Sequence, residues 1–311
     1  MTDLNVALRI NPEDRGNPEV HDLTSDFRRR DNATFLAEVA QRLRQVAQTE
    51  GPGDTHLHPG GVGCIGLLGE YGLIGYSSRR AQEIIRLDRT PSYWSHAFLL
   101  VGELSEQATV NRSPRQSAWL WESSLEPPGA FNYFTFRSGV SARRLSDYAQ
   151  ATFDIHAAHC VPNLAIIAIG LTEAERAAIL ARANNPDVDQ LRYDLAGLLG
   201  TWYAYILRRT GEPNPLVQGH ALFSAAYVQL AYDAAGTDLA PGAHQRNTAP
   251  EHIWQAVKHL SQTFRVHDAS QERPAQRAVM AWTCIRDRAG VLAPVQEQLP
   301  RRLSDLTAQS M

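Results

Sequence analysis

Apolar positions along the chain follow two rhythms. In 32–48, NATFLAEVAQRLRQVAQ, Phe35, Leu36, Val39, Leu43 and Val46 recur every three or four residues. That spacing lines one face of a helix and predicts one capped near Asn32. SSRRAQEIIRLD (77–88) predicts a short helix, and TEAERAAILARANN (172–185) a longer one opened by Thr172 and Glu175 in capping-box spacing. Further helices are predicted over 193–211, 219–236, 248–264 and 277–299. The second rhythm is extended. SHAFLLVGEL (95–104), SAWLWESS (117–124) and FNYFTFRS (131–138) read as strands, and NLAIIAIGL (163–171) as a strand buried on both faces. Residues 1–30 are polar, carry the cluster DFRRRD, and read as a loosely ordered lead-in. A few antiparallel strands flanked by helices make an α+β fold.

One stretch fits neither rhythm. Between 51 and 78, glycines fall at 60, 63, 66, 69, 72 and 75, and Gly61, Gly63 and Gly66 match G-x-G-x-x-G. A dinucleotide site needs an apolar strand before its glycines, and GPGDTHLHP is not one. The run therefore predicts a flexible or close-packed glycine loop.

Composition narrows the classes. The 311 residues are 43% hydrophobic and 20% charged, with a net charge of −3. No polycation is present to neutralise a nucleic-acid backbone. No run approaches the roughly 18 apolar residues of a spanning helix. The first twenty residues lack a basic start and apolar core, which predicts a cytoplasmic chain or one exported without a cleaved signal peptide. Cys64, Cys160 and Cys284 are far apart, against both a disulfide framework and a zinc knuckle.

Chemistry gathers on two strands and one helix. Alternation puts His96 on a face with Phe98 and Leu100, and Glu122 on a face with Ala118 and Leu120. A glutamate in such surroundings is costly to bury unpaired. An imidazole is its natural partner, and a carboxylate–imidazole pair is half of a nucleophilic triad. A surface glutamate at a strand end and a satisfied core histidine are the plainer alternatives. Ser224 opens the helix predicted in 219–236, crowded by Ala225 and Ala226. A nucleophile there gains from the positive end of the helix dipole and from free backbone amides; a simple N-cap is the alternative. His220, four residues earlier, is an alternative base or a pocket-edge residue. Tyr193 and Tyr76 are candidate pocket walls.

The run from about 73 to 257 resembles the circularly permuted branch of the NlpC-type cell-wall peptidase superfamily. These are papain-like thiol hydrolases related to lecithin–retinol acyltransferase. The segment SSRRAQEIIRLDRTPSYWSHAFLLVG matches the part that carries the family's catalytic histidine, here His96. WLWESS supplies the orienting residue, Glu122. Tyr193 and Asp194 match a "Y-D" helix, and SAAYVQLAYDAAGTDL with NTAPEHIW follows the spacing of the nucleophile helix and the loop after it. The departure lies at the nucleophile. Ser224 stands where the family has cysteine, and Ala226 where an acidic residue is common. No cysteine of the chain falls at that place.

The resemblance implies a permuted papain-like fold: a small antiparallel sheet packed by helices, with a hydrolase domain at 61–260. An N-terminal extension with one helix (1–60) and a C-terminal helical extension (261–311) flank it. It implies an acyl-enzyme hydrolase of amides or esters with Ser224 as nucleophile, His96 as base and Glu122 as orienter. Plausible substrates are cell-wall peptides, isopeptides or acyl lipids. No cofactor or metal is implied. A role as a secreted antibacterial effector would add an immunity or delivery partner. Three readings of Ser224 stay open: an introduced Cys→Ser change, a native working serine, or a silent site on a binding module or interaction protein.

Other polar clusters weigh less. Asp54, His56 and His58 in DTHLHP have metal-compatible spacing but no third distant ligand. His156, His159 and Cys160 read as a helix end before Pro162. The C-terminal run with Val291, Leu292 and Val295 is amphipathic and predicts a helix packed on the domain or an oligomer contact.

Overall fold

The computed structural model describes residues 20–22, 31–49, 55–70, 73–86, 88–104, 118–125, 138–149, 161–185, 202–205, 207, 209–213, 222–260 and 278–287. Its strands are β1 (Val20–Asp22), β2 (Ile65–Gly69), β3 (His96–Leu100), β4 (Trp119–Leu125), β5 (Ser138–Arg144), β6 (Asn163–Ile169) and β7 (Val279–Ile285). Its helices are α1 (Asn32–Thr49), α2 (Leu73–Ala81), α3 (Leu145–Ala149), α4 (Glu173–Ala183), α5 (Ser224–Asp233) and α6 (Pro250–Leu260). The strands form one sheet in the order β1-β7-β6-β2-β3-β4-β5. β2 to β7 run antiparallel to their neighbours, and β1 joins β7 in parallel. No described helix is long and apolar enough to cross a membrane.

The α+β expectation holds in this form: a mixed fold on an antiparallel sheet. The elements predicted at 32–48, 95–104, 117–124, 163–171 and 172–185 are present. The α4 capping box is complete, with Glu175 N donating to Thr172 Oγ1 (3.1 Å) and Thr172 N to Glu175 Oε2 (2.8 Å). The α1 cap is Asp31, whose Oδ1 accepts from Thr34 N (2.7 Å). Asn32 is buried instead, and its Nδ2 donates to Tyr148 O and Val161 O.

Three expectations are corrected. Part of the glycine run is not a loop but β2, a buried central strand between β6 and β3. Its glycines are packing devices. Gly66 lies opposite Phe98, and a Cβ on it would sit 1.9 Å from Phe98 Cζ. A Cβ on Gly69 would meet Tyr93 O at 2.1 Å. The turn before β2 needs Gly61 and Gly63 for their φ of 72° and 88°. The period of three thus joins unrelated causes. Second, 279–285 is strand, not the helix predicted at 277–299, so what the C-terminal segment adds to the described fold is a sheet strand. VMAWTCI is buried along nearly its whole length, which hides the alternation that marks a half-exposed strand. Third, the lead-in contributes β1.

The strand expected at 131–138 lies outside the described residues except for Ser138, where β5 begins. Residues 193–201 and the amphipathic stretch from 291 also lie outside them; 202–205 are helical.

Apolar side chains fill both faces of the sheet. Ile65, Leu67, Ala97, Leu99, Ala165 and Ile167 pack with residues of α4, α5 and α6. Leu68, Phe98, Leu100, Leu164 and Ile166 pack with α1 and with Leu145 and Tyr148 of α3. The loop into β3 is pinned from three sides. Arg79 Nε of α2 donates to Ser92 O (2.7 Å) while Nη1 pairs with buried Asp287 just past β7 (2.7 Å). Ser92 Oγ donates to buried Glu251 of α6 (2.5 Å), and Trp94 meets Trp254 edge-on at 5.3 Å. These contacts fix where β3 starts, and its first residue is His96.

Candidate active site

His96 and Glu122 come together. Glu122, in the middle of β4, is fully buried and lies 2.9 Å from His96 Nε2 through Oε2. Strand alternation puts both on the α1 and α3 face, His96 with Phe98 and Leu100 and Glu122 with Ala118 and Leu120, whereas α5 packs on the other face. Two groups that the sequence reading missed complete the setting. Tyr148 of α3 donates its hydroxyl to the same Oε2 (2.5 Å). Arg143 Nε of β5 lies 2.5 Å from Oε1, an ion pair made by proximity rather than by an aligned N–H. Arg143 pairs with Leu120 across β4 and β5, which sets it on Glu122's face, but that register is readable only once β5 is placed.

Environment drives both ionisations the same way. Burial pulls the His96 pKa down, yet the Glu122 charge and hydrogen bond outweigh it and hold the imidazole above its ordinary 6.5. Burial pushes Glu122 up, and His96, Arg143 and Tyr148 outweigh that, holding it below 4.5. A raised histidine stabilises fully below its unfolded pKa and loses this as pH rises through the folded value; a lowered carboxylate does so above its unfolded pKa and loses it as pH falls through the folded one. The pair is therefore at full strength between about pH 4.5 and 6.5. In melting curves across pH, the difference in Tm between the chain and Glu122→Gln should be largest in that window and shrink on both sides. A difference independent of pH would contradict the pairing.

Ser224 is the first helical residue of α5, not its cap. The cap position is Phe223, which offers no capping side chain. The first amides of α5 therefore lack helical acceptors at its positive end. β3 and β4 pair at Leu99 with Trp121 and at Leu100 with Leu120. Towards His96 the segment before α5 bridges them. Ser123 Oγ donates to Leu222 O (2.5 Å), and Ala97 N donates to Ser224 Oγ (3.2 Å). The hydroxyl thus bonds the residue next to His96 rather than the imidazole. An oxygen that accepts the Ala97 amide keeps its own proton for donation.

Ser224 borders a cavity of about 30 Å³ lined also by Ser78, Ser95, Trp202 and Phe223. Trp202 is shared with a cleft of about 390 Å³ lined by Tyr76, Arg80, Glu83 and Ile84. Tyr76 is thus a cleft wall, one side chain removed from Ser224. Tyr193 and His220 lie outside the described residues.

The other clusters find different uses. His56 Nε2 pairs with Glu173 (2.9 Å), and His58 Nδ1 accepts from the amides of Gly60 (3.1 Å) and Val62 (3.4 Å). Asp54, His156, His159 and Cys160 lie outside the described residues, among which no three potential ligands gather. Cys64 and Cys284 are buried, and burial pushes the Cys64 thiol up to about 12, far from a thiolate nucleophile.

Compared with known protein families, curated proteins and solved structures, the chain matches none.

Proposed function

We propose that the chain is a papain-like hydrolase that opens an amide or ester through an acyl-enzyme on residue 224. The observation that carries the reading is the buried His96–Glu122 pair, one residue along β3 from the Ala97 amide that bonds the first hydroxyl of α5. α5 itself packs on the other face of the sheet, so Ser224 and the imidazole would have to meet around the start of β3. In this mechanism Ser224 Oγ attacks the substrate carbonyl carbon and passes its proton to His96. Glu122 stabilises the imidazolium, and first-turn amides of α5 receive the oxyanion. The tetrahedral intermediate collapses, breaking the bond to the leaving group, which takes the proton from His96. Water, deprotonated by His96, then releases the acyl group and regenerates the serine. Substrate approaches along the cleft between Tyr76 and Trp202. The permuted papain-like topology and cell-wall peptide, isopeptide or acyl-lipid substrates belong to this proposal through the resemblance.

A second reading, a binding module on the same scaffold, draws support from the Ser224 hydroxyl bonding Ala97 rather than His96. Turnover of ester and peptide panels separates the two. The hydrolase reading expects turnover by the chain and a loss of about 10²–10⁴-fold in His96→Ala. No turnover in either protein favours the binding module.

A further inference from the structure

We propose that Tyr148 is a positioning residue that fixes the Glu122 carboxylate and, by sharing its Oε2 with the imidazole, sets how strongly His96 holds its proton. The inference rests on the reading of His96 as the base. Three observations carry it. The Tyr148 hydroxyl and His96 Nε2 converge on one oxygen, at 2.5 and 2.9 Å. Arg143 occupies the other oxygen, so a side chain with several rotamers is held at both ends. The phenol is itself held: its ring stacks on Phe98, with centroids 5.7 Å apart and planes 11° from parallel, and its backbone oxygen accepts from Asn32 Nδ2.

Phe98 lies two residues along β3 from His96, so the imidazole and the ring that braces Tyr148 share one strand face. Packing does not call for the hydroxyl, because a phenylalanine would stack equally well. The hydroxyl's contribution is electrostatic. It draws density from Oε2, and so lowers the potential that Glu122 exerts on the imidazolium. The other charged groups acting on His96 are Glu70, which favours its proton, and Arg143, which opposes it.

The test is the titration of His96, followed by imidazole ¹⁵N–¹H NMR in the chain and in Tyr148→Phe. Without the hydroxyl, Glu122 acts undiluted on the imidazolium, and the His96 pKa should rise by about one unit. A fluorinated tyrosine at 148, a more acidic phenol and a stronger donor, should move it down. This second variant keeps the hydroxyl and leaves no buried acceptor short of a partner, so it reads the coupling even if Tyr148→Phe fails to fold. An unchanged titration in either folded variant overturns the proposal, since a purely structural role for Tyr148 would not move it. Shifted titrations with no turnover by any variant would support the coupling and overturn the hydrolase reading alone.

Discussion

Ser224→Cys should alkylate at a pH well below that of an ordinary cysteine. A free thiol ionises near pH 8.5, and helix N-termini and imidazolium neighbours lower this to roughly 3.5–7.5. Residue 224 has the first of these outright: it begins α5, and Phe223 contributes no side chain that would occupy the free amides. The imidazole itself is not in contact; Ser224 bonds the amide of Ala97, the residue after His96, and the hydrolase reading requires His96 to act from there. The expected result is an iodoacetamide rate profile with an acid-shifted midpoint, moved back towards 8.5 by His96→Ala. The background is quiet at the described cysteines, since Cys64 and Cys284 are 4% and 2% exposed. Cys160 should be replaced by serine, with the adduct located by peptide mass. The same variant should raise ester turnover if the site is built for a thiolate. A midpoint at 8.5, indifferent to His96→Ala, would sink the nucleophile assignment.

The largest effect on stability should come from Gly66→Ala. The new methyl would lie 1.9 Å from Phe98 Cζ and 2.3 Å from both Cε atoms, closer than any real contact. The ring has little room to retreat, because Tyr148 stacks on it. Overpacking a core costs about 1–3 kcal/mol, and a site that cannot give belongs at the upper end or beyond. At roughly 2–4 °C per kcal/mol for domains of 150–250 residues, Tm should fall by on the order of 10 °C. Phe98→Leu in the same protein should restore part of the loss. Melting curves decide it, and an unchanged Tm would mean that the ring does not cover Gly66. The displacement also reaches the site, since a shifted Phe98 takes Tyr148 with it.

The sequence spoke most clearly where period and chemistry coincided. Alternation placed His96 and Glu122 on matching faces of their strands, and a buried carboxylate's need for a partner predicted their pairing. Thr172 and Glu175 announced α4 by spacing alone. Legibility ended where the cause was long-range. The glycines of β2 make sense only against Phe98 and Tyr93, residues 32 and 24 positions beyond Gly66 and Gly69, which only the fold brings close. β7 carries no alternation because it is covered on both faces, so its run resembled a buried helix. Arg143 and Tyr148 are invisible for a related reason: their place depends on the register of β5, which begins at Ser138, whereas the sequence pattern predicts a strand over 131–138.

The parallel pairing of Val20–Asp22 with Ala281–Thr283 bears on how the chain is made. β7 is inserted between β6 and β1, so this side of the sheet waits for residues synthesised 261 positions after Val20. Translation adds roughly 5–20 residues per second, so β1 spends on the order of ten seconds or more without its partner. The β2–β3 and β3–β4 pairs, which carry His96 and Glu122, span far shorter loops and are free to form first. The histidine–glutamate dyad would then be assembled while the opposite border of the sheet is still unbuilt.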